Sequence, residues 1–159
     1  MIVLLRIDDR LIHGQVVMGW VKRYSIDHIV AVDDEIKADS FQAKLLKMAT
    51  PVGCGSDIVT AKQAVELFAT GKLDKKRVFI VAKGAKELLE LIDAGVEMPE
   101  KVNAGNVRQK DGKTVVPYIL IRDEDLDNWR RLAQLKELSA QLTPDQIVYD
   151  LKDALAKVK

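Results

Sequence analysis

Nucleophilic and metal-binding side chains are scarce in this sequence, which has one cysteine and two histidines among 159 residues. The single cysteine, Cys54, has no partner for an internal disulfide, as is typical of proteins kept in a reducing cytosol. Cys54 lies between Gly53 and Gly55, where a small inert residue is a better interpretation than a nucleophile. The two histidines and the cysteine are too widely separated for a metal-binding motif. The sequence therefore predicts neither a disulfide nor a metal site, and we expect no cofactor.

Long apolar runs and an excess of charge of one sign are lacking as well. No segment approaches the roughly 20 apolar residues that span a bilayer. The opening "MIVLL" is too short for a signal peptide and runs directly into charges. The net charge of +1 gives no reason to expect nucleic acid or an anionic membrane as a partner. With 48% hydrophobic residues the chain can bury a core, and we expect a soluble protein with a single domain over residues 1–159.

Motifs that bind nucleotides are also missing. There is no G-x-x-x-x-G-K-[ST] run for a P-loop, and no G-x-G-x-x-G follows the first predicted strand, which counts against a dinucleotide cofactor. Histidine phosphatases have an arginine directly before His-Gly, and here Ile12 has that position. These absences count against a P-loop nucleotide site, a dinucleotide site and a histidine phosphatase.

Short β-branched runs alternate with amphipathic stretches along the first two-thirds of the chain. The strands are predicted at 2–7, 28–33, 56–60, 77–82 and 101–105. The helices are predicted at about 15–24, 39–49, 60–70 and 85–94. Thr60 and Gln63 have capping-box spacing, and Gly71 and Gly95 follow the ends of helices. The alternation predicts an α/β fold with an open, mostly parallel β-sheet and helices on both faces.

The pattern changes after residue 105. The stretch "VRQKDGKTVVPYILIRD" indicates a strand, an Asp-Gly turn and a second strand, and Pro117 suits an edge strand. We therefore expect an antiparallel strand at the edge of the sheet. A helix follows in "EDLDNWRRLAQLKEL", and Thr143 is a suitable N-cap for a last helix, with Pro144 at its first position.

The segment "RIDDRLIHGQ", from Arg6 to Gln15, connects the first strand to the first helix. Folds of this class bind ligands at the carboxyl ends of their strands. The helix start near Gln15 offers unpaired N–H groups and the positive end of the helix dipole, which attract anions. Gly14 lets the backbone approach a ligand closely. The segment therefore predicts a phosphate site.

His13 is the candidate nucleophile of this segment. A neutral imidazole can accept a phosphoryl group and then give it away. Arg10 and Arg6 can bind the phosphoryl oxygens, because a guanidinium offers two parallel N–H donors. Asp8 and Asp9 are interpreted as groups that orient the loop, pair with an arginine or fix the tautomer of the imidazole.

Other strand ends are expected to border the same cleft. Lys83 and Gly84 follow the strand "RVFIVA", and Asn106 follows "VNAG". The second histidine, His28, begins a strand and is interpreted as a structural residue.

The stretch "RIDDRLIHGQVVMGW" closely resembles the signature of the IIB component of the mannose/fructose/sorbose family of bacterial sugar phosphotransferase systems. The stretches "KLLKMATPVG", "VNAGNVRQKDGK" and "PDQIVYDL" resemble others of that family in the same order. The likeness covers essentially the whole chain, and it implies an open, mostly parallel α/β sheet.

The resemblance also implies a cytoplasmic phosphocarrier that associates peripherally with a membrane sugar permease. In that family a phosphohistidine of the IIA component phosphorylates IIB on Nδ1 of a histidine, which matches His13 here. IIB then acts as a protein-N(pi)-phosphohistidine–sugar phosphotransferase on a sugar that enters through the IIC and IID membrane subunits. Arg10 matches the arginine needed for transfer, and Arg6 matches the second arginine of the motif. The sugar (mannose, fructose, sorbose, N-acetylgalactosamine or another) and the oligomeric state stay open.

Two other classes of function can use the same cleft. A stand-alone enzyme acting on a small phosphate ester needs a general acid near His13 and no protein partner. A regulatory binding module carries no acid-labile phosphate on His13. From the carrier function we also expect a shallow surface around His13, with exposed apolar residues and the positive charge of Arg6 and Arg10.

Overall fold

The computed structural model describes residues 1–36 and 39–159, apart from the side chains of residues 15 and 16. The strands are β1 (Ile2–Ile7), β2 (His28–Val32), β3 (Gly55–Val59), β4 (Val78–Ala82), β5 (Lys101–Ala104), β6 (Val107–Arg108), β7 (Lys113–Val116), β8 (Ile119–Ile121), β9 (Glu137–Ala140) and β10 (Tyr149–Asp150). The helices are α1 (Gly14–Tyr24), α2 (Phe41–Met48), α3 (Ala61–Ala69), α4 (Ala85–Asp93), α5 (Asp123–Leu135) and α6 (Leu151–Ala156).

Seven of the strands form one sheet in the order β10-β9-β5-β1-β4-β2-β3. All neighbours in this sheet pair in parallel except β9 and β10, which are antiparallel. The predicted fold class, an open and mostly parallel α/β sheet with an antiparallel edge strand, is confirmed. Because β1 lies between β4 and β5, the loop that follows β1 is flanked by the carboxyl ends of both neighbours.

Two hydrophobic cores lie on opposite faces of the sheet, since successive side chains of a strand point in opposite directions. Leu4, Ile29 and Phe79 pack with α1 and α2 on one face. Leu5 and Ile80 pack on the other face, to which α3, α4, α5 and α6 contribute. Helices therefore cover both faces, as predicted. Within the described residues, no helix combines the length and the apolar character needed to cross a membrane.

Local signals at three helix ends are confirmed. Thr60 and Gln63 form the predicted capping box at the start of α3. Gly71 and Gly95 follow α3 and α4 with φ angles of 75° and 82°, the left-handed conformation that ends many helices.

Residues 107–121 do not extend the main sheet, so the predicted position of the edge strand is wrong. β6, β7 and β8 form a separate sheet in the order β6-β8-β7. Its antiparallel hairpin turns at Pro117 and Tyr118, and the Asp-Gly turn is not a hairpin turn because β6 pairs in parallel with β8. Proline has no N–H to donate to a ladder, so Pro117 ends β7. The antiparallel edge strand of the main sheet is β10.

The last helix also begins later than predicted. α6 starts at Leu151, and the Asp150 side chain accepts hydrogen bonds from the backbone N–H groups of Lys152 and Asp153 in its first turn. The Thr143 hydroxyl donates to Asp145 at 2.6 Å instead of capping a helix. Residues 141–148 consequently form an irregular segment that follows β9.

Candidate phosphoryl-transfer site

The loop from Asp8 to His13 leaves the carboxyl end of β1 and enters α1. His13 is the N-cap residue of α1, with an extended backbone of φ −151° and ψ 134°. Leu11 and Gly14 are left-handed, with φ angles of 60° and 37°. This conformation costs a leucine roughly 1–2 kcal/mol, and such strain is concentrated at functional sites. Leu11 is held there because its side chain is buried in the core.

Asp8 is fully buried and holds Arg10 in a two-point ion pair. Arg10 Nε donates to Asp8 Oδ1 at 3.1 Å, and Arg10 Nη2 donates to Asp8 Oδ2 at 3.1 Å. The Arg10 side chain is nevertheless 40% exposed, and the described residues supply no hydrogen-bond partner for its Nη1. A guanidinium held along one edge in this way presents its other edge to an anion.

The His13 imidazole is half-buried beside this ion pair. Its Nδ1 lies 3.3 Å from the carbonyl oxygen of Leu11, a contact that requires the proton on Nδ1 because a carbonyl only accepts. Its Nε2 is buried, without a partner among the described residues. Burial lowers the pKa of His13, the charge of Asp8 opposes this shift, and the charge of Arg10 adds to it. The ring is therefore neutral at pH 7, the nucleophilic form of histidine.

Arg6 lies inside the protein, which corrects the expectation that it contributes positive charge to the surface around His13. Its side chain is 1% exposed. Nη1 donates to the side chain of Asn103 and to the carbonyl of Gln141 at 2.8 Å. Nη2 donates to Asp8 Oδ2 at 3.3 Å and to the carbonyl of Leu142 at 3.1 Å. With these donors occupied, the geometry does not support direct contact between Arg6 and a phosphoryl group.

The buried Arg6 guanidinium is also covered by an aromatic ring. Burial lowers the pKa of Arg6 to about 10, with the Asp8 charge opposing the shift, so the group stays charged at pH 7. Its Cζ lies 5.1 Å from the centroid of the Trp20 ring, within cation–π range. Trp20 Nε1 donates to the Leu142 carbonyl at 3.1 Å, so indole and guanidinium share one acceptor. Trp20 lies in the signature stretch, yet no sequence pattern indicates its contact with Arg6.

Asp9 ties the loop to the residues that follow β5. Asn106 Nδ2 donates to Asp9 Oδ1 at 3.1 Å, and the backbone N–H of Arg108 donates to Asp9 Oδ2 at 2.7 Å. Lys83 Nζ donates to the Asp9 carbonyl at 3.0 Å. The structure therefore brings Lys83 and Asn106 onto the loop, while any part they have in phosphoryl transfer stays a prediction.

The remaining candidates lie in different places. Gly84 is the N-cap residue of α4 and lines a cavity of about 410 Å³ beside the loop, together with Asp9 and Lys83. Gln15 belongs to α1, but its side chain is outside the described part of the structure. His28 lies at the amino end of β2, away from the loop that follows β1, where its Nε2 is 2.7 Å from Asp57 Oδ2. The described residues contain no group of three or more His, Cys, Asp or Glu that could hold a metal ion.

Comparison with known proteins identifies the family. The family model described as "PTS system sorbose subfamily IIB component" matches residues 2–158. The chain belongs to this IIB family. This IIB component is 36% identical over 135 residues to the sorbose-specific EIIB component of Lacticaseibacillus casei, a match that covers 84% of this chain and 82% of that protein. The IIBSor domain of the sorbose permease from Klebsiella pneumoniae has the same fold, with a TM-score of 0.92, 25% identity, and coverage of 100% of this chain and 98% of that one.

A further relative joins two components in one protein. The mannose-specific EIIAB component of Escherichia coli (strain K12) is 30% identical over 157 residues, covering 98% of this chain and 48% of that protein. The IIB component thus spans about half the length of this relative. Together these matches confirm the predicted mannose/fructose/sorbose-family identity. The protein is a phosphocarrier in sugar uptake, and its reaction class is that of a transferase in sugar phosphotransfer.

Proposed function

We propose that this IIB component carries the phosphoryl group on His13, which accepts it from the phosphohistidine of a IIA component. The group then passes to a sugar that enters through IIC and IID membrane subunits, which makes the protein a protein-N(pi)-phosphohistidine–sugar phosphotransferase. One observation carries this proposal. His13, whose imidazole is neutral, is the N-cap residue of α1 and lies in the same loop as Arg10, whose guanidinium is held by Asp8 along one edge and exposed along the other.

Transfer to His13 exchanges one P–N bond for another. The Nδ1 lone pair attacks phosphorus, and the electron pair of the breaking P–N bond returns to the imidazole of the IIA component. In the structure Nδ1 faces the Leu11 carbonyl, a contact that places the proton on Nδ1. For attack through Nδ1, the proton must be on Nε2 and the ring must turn away from this carbonyl. At 3.3 Å the contact is long for a hydrogen bond, so little free energy opposes the turn.

Arg10 and the start of α1 stabilise the group in transfer. Negative charge is spread over the phosphoryl oxygens during an in-line displacement, so preorganised donors lower the barrier in both directions. The exposed edge of Arg10 donates to these oxygens, and the first N–H groups of α1 add the positive end of the helix dipole. Gly14 leaves room for the backbone to approach. Asp8 and Asp9 act indirectly, by holding Arg10 and the loop.

The IIA component and the membrane subunits use the surface around His13 in turn, because one imidazole cannot face two partners at once. We place the protein in the cytoplasm, peripherally associated with the permease, as a single domain over residues 1–159. The joining of A and B components in the name of the mannose relative supports a IIA partner. No cofactor and no nucleic acid take part in this cycle.

The test is incubation with the upstream phosphotransferase proteins and phosphoenolpyruvate, followed by mapping of acid-labile phosphate. We expect phosphate on His13 in the wild type and none in His13→Ala, with unchanged labelling of the control His28→Ala, whose imidazole is bound to Asp57. Labelling that persists in His13→Ala would refute the proposal. Turnover of a small phosphate ester without any partner would favour a stand-alone enzyme, and complete absence of label would favour a regulatory module.

A further inference from the structure

The orientation of Arg10 depends on residues that do not reach the surface. Asp8 Oδ2 accepts hydrogen bonds from Arg10 Nη2 at 3.1 Å and from Arg6 Nη2 at 3.3 Å. Asp8 and Arg6 are both buried, with 0% and 1% of their side chains exposed. Since the same carboxylate binds both guanidinium groups, any displacement of Arg6 moves the group that holds Arg10. The position of Arg10 therefore depends on the ion pair of Arg6 and Asp8.

Trp20 is one boundary of this ion pair. Its ring lies over the Arg6 guanidinium at 5.1 Å, and its Nε1 shares the Leu142 carbonyl with Arg6 Nη2. Leu142 belongs to the irregular segment 141–148, so this carbonyl is oriented by the two donors it accepts from and not by a strand or helix. Removal of the indole N–H would release the carbonyl and leave space beside a buried cation, which would then shift.

Gly105 is the other boundary. A Cβ atom at Gly105 would lie 2.0 Å from Arg6 Nη2 and 2.6 Å from Asp8 Oδ2, distances that real Cβ atoms essentially never show. Gly105 is not among the glycines with positive φ, so the need for glycine is steric. Its backbone N–H donates to the Ile7 carbonyl at 2.7 Å, which fixes this stretch of backbone to β1. A side chain at Gly105 must therefore displace both members of the ion pair.

We propose that Trp20 and Gly105 are positioning residues for phosphoryl transfer. They fix the ion pair of Arg6 and Asp8 from two directions, and this keeps the exposed edge of Arg10 aimed at the phosphoryl group. This inference rests on the function proposed above. Neither residue contacts the reacting atoms, so their loss affects the alignment of the transfer and leaves the docking of partners unchanged. A misplacement of about 1 Å in such an alignment costs roughly 100-fold in rate.

The experiment compares single-turnover transfer from the phosphorylated IIA component to Gly105→Ala and Trp20→Phe. We expect the maximal rate constant to fall roughly 10- to 100-fold, with an unchanged half-saturating concentration of the IIA component. Trp129→Phe is the matched control for Trp20→Phe, because Trp129 is also buried and donates its indole N–H, at 3.2 Å, to Asp125. Its transfer rate should equal that of the wild type.

The matched control for Gly105→Ala is Gly19→Ala. A Cβ at Gly19 would lie 3.6 Å from Pro144 Cδ, an ordinary van der Waals contact, so its rate should also be unchanged. A second readout is the ¹⁵N–¹H resonance of Arg10 Nε, which donates to Asp8. This resonance should move in both positioning variants and keep its wild-type position in both controls. If Gly105→Ala does not fold, Trp20→Phe decides the question alone.

The outcomes separate this inference from the function it rests on. If the wild type accepts no phosphoryl group, the proposed function and this inference both fail. If the wild type is phosphorylated and both positioning variants transfer at the wild-type rate, the positioning inference is overturned and the proposed function stands. A loss of the same size in Trp129→Phe, or an unmoved Arg10 Nε resonance in both slow variants, would likewise overturn it.

Discussion

At the scale of single residues, Arg10 combines two tasks that a lysine cannot share. One edge of its guanidinium binds Asp8 and the other is exposed. Arg10→Lys keeps the charge and loses this geometry, and we expect transfer to slow roughly 10- to 1000-fold. Arg131→Lys is the control, since Arg131 on α5 forms a similar two-point pair with Asp93 on α4, at 2.6 and 3.0 Å. A wild-type transfer rate in Arg10→Lys would contradict the two-edge role.

The lowered pKa of His13 makes a second prediction. The folded protein holds this ring neutral more strongly than an unfolded chain, in which its pKa is 6.5, so the neutral form persists as the pH falls to 6.5. We therefore expect phosphoryl acceptance to fall at a lower pH than it would with a histidine of ordinary pKa. Titration of the His13 ring by NMR, with signals assigned from His28→Ala, gives the midpoint directly. A midpoint above 6.5 would show that the Asp8 charge outweighs burial.

The chemistry of the loop between β1 and α1 could be predicted from the sequence. Which residues around it are buried and which are exposed could not. His13 and Arg10 follow a strand and precede a helix, and the position alone points to an anion. Arg6 was misplaced at the surface. One signal was available, because a central parallel strand covered by helices on both faces has no exposed side, and Arg6 lies between Leu5 and Ile7 in such a strand. The contacts of Trp20 and Gly105 left no local pattern, since they join segments distant in the chain.

At the scale of elements, α4 buries an acid. Glu87 lies in the first turn of α4, and burial raises its pKa to about 7, with the charges of Asp34 and Asp33 adding to the shift. Backbone N–H groups of Glu87 and Asp34 oppose it. Since the folded state binds this proton more tightly than the unfolded state, with its pKa of 4.5, the contribution of Glu87 to stability is greatest below pH 4.5 and declines up to about pH 7.

Glu87→Gln removes this dependence, because an amide cannot ionise. We expect the variant to be more stable than the wild type at pH 8, by roughly 1–2 kcal/mol, and similar to it at low pH. Urea unfolding at pH 5 and pH 8 measures the difference. Glu66→Gln, at an exposed position of α3, is the control and should change stability equally at both pH values. A wild type that gains stability from Glu87 at pH 8 would contradict the assignment.

Most strands and helices could be predicted from local sequence, and the last two strands could not. The strands β1 and β4 and the helix α3 have continuous apolar runs or a capping box, so their own residues specify them. The strands that the sequence did not predict are β9, with four residues, and β10, with two. Their conformation is set by pairing with distant strands, as when β9 pairs with β5 and β10 with β9. The turn at Pro117 also depends on pairing between strands. It joins β7 to β8, and β8 pairs on its other side with β6.

At the scale of the whole molecule, the proposed function requires the surface around His13 to attract and release partners. Arg10 and Arg108 are exposed cations of this region, and Met18 on α1 is an exposed apolar residue. We expect micromolar or weaker affinity for a IIA component, weakening further as salt rises. Amide NMR shifts during a titration at low and high salt should centre on residues 6–15. Tight binding that salt does not change, or shifts centred elsewhere, would contradict this.

The burial of Arg6 also determines when, during synthesis, the loop after β1 can reach its folded arrangement. Two acceptors of its guanidinium, the carbonyls of Gln141 and Leu142, are 135 and 136 positions further along the chain. A ribosome adding roughly 5–20 residues per second needs on the order of ten seconds to cover that interval. During this interval the chain lacks the two carbonyls that bind Arg6 in the folded protein. On the proposed function, we therefore expect a nascent chain that ends before Gln141 to be a poor phosphoryl acceptor.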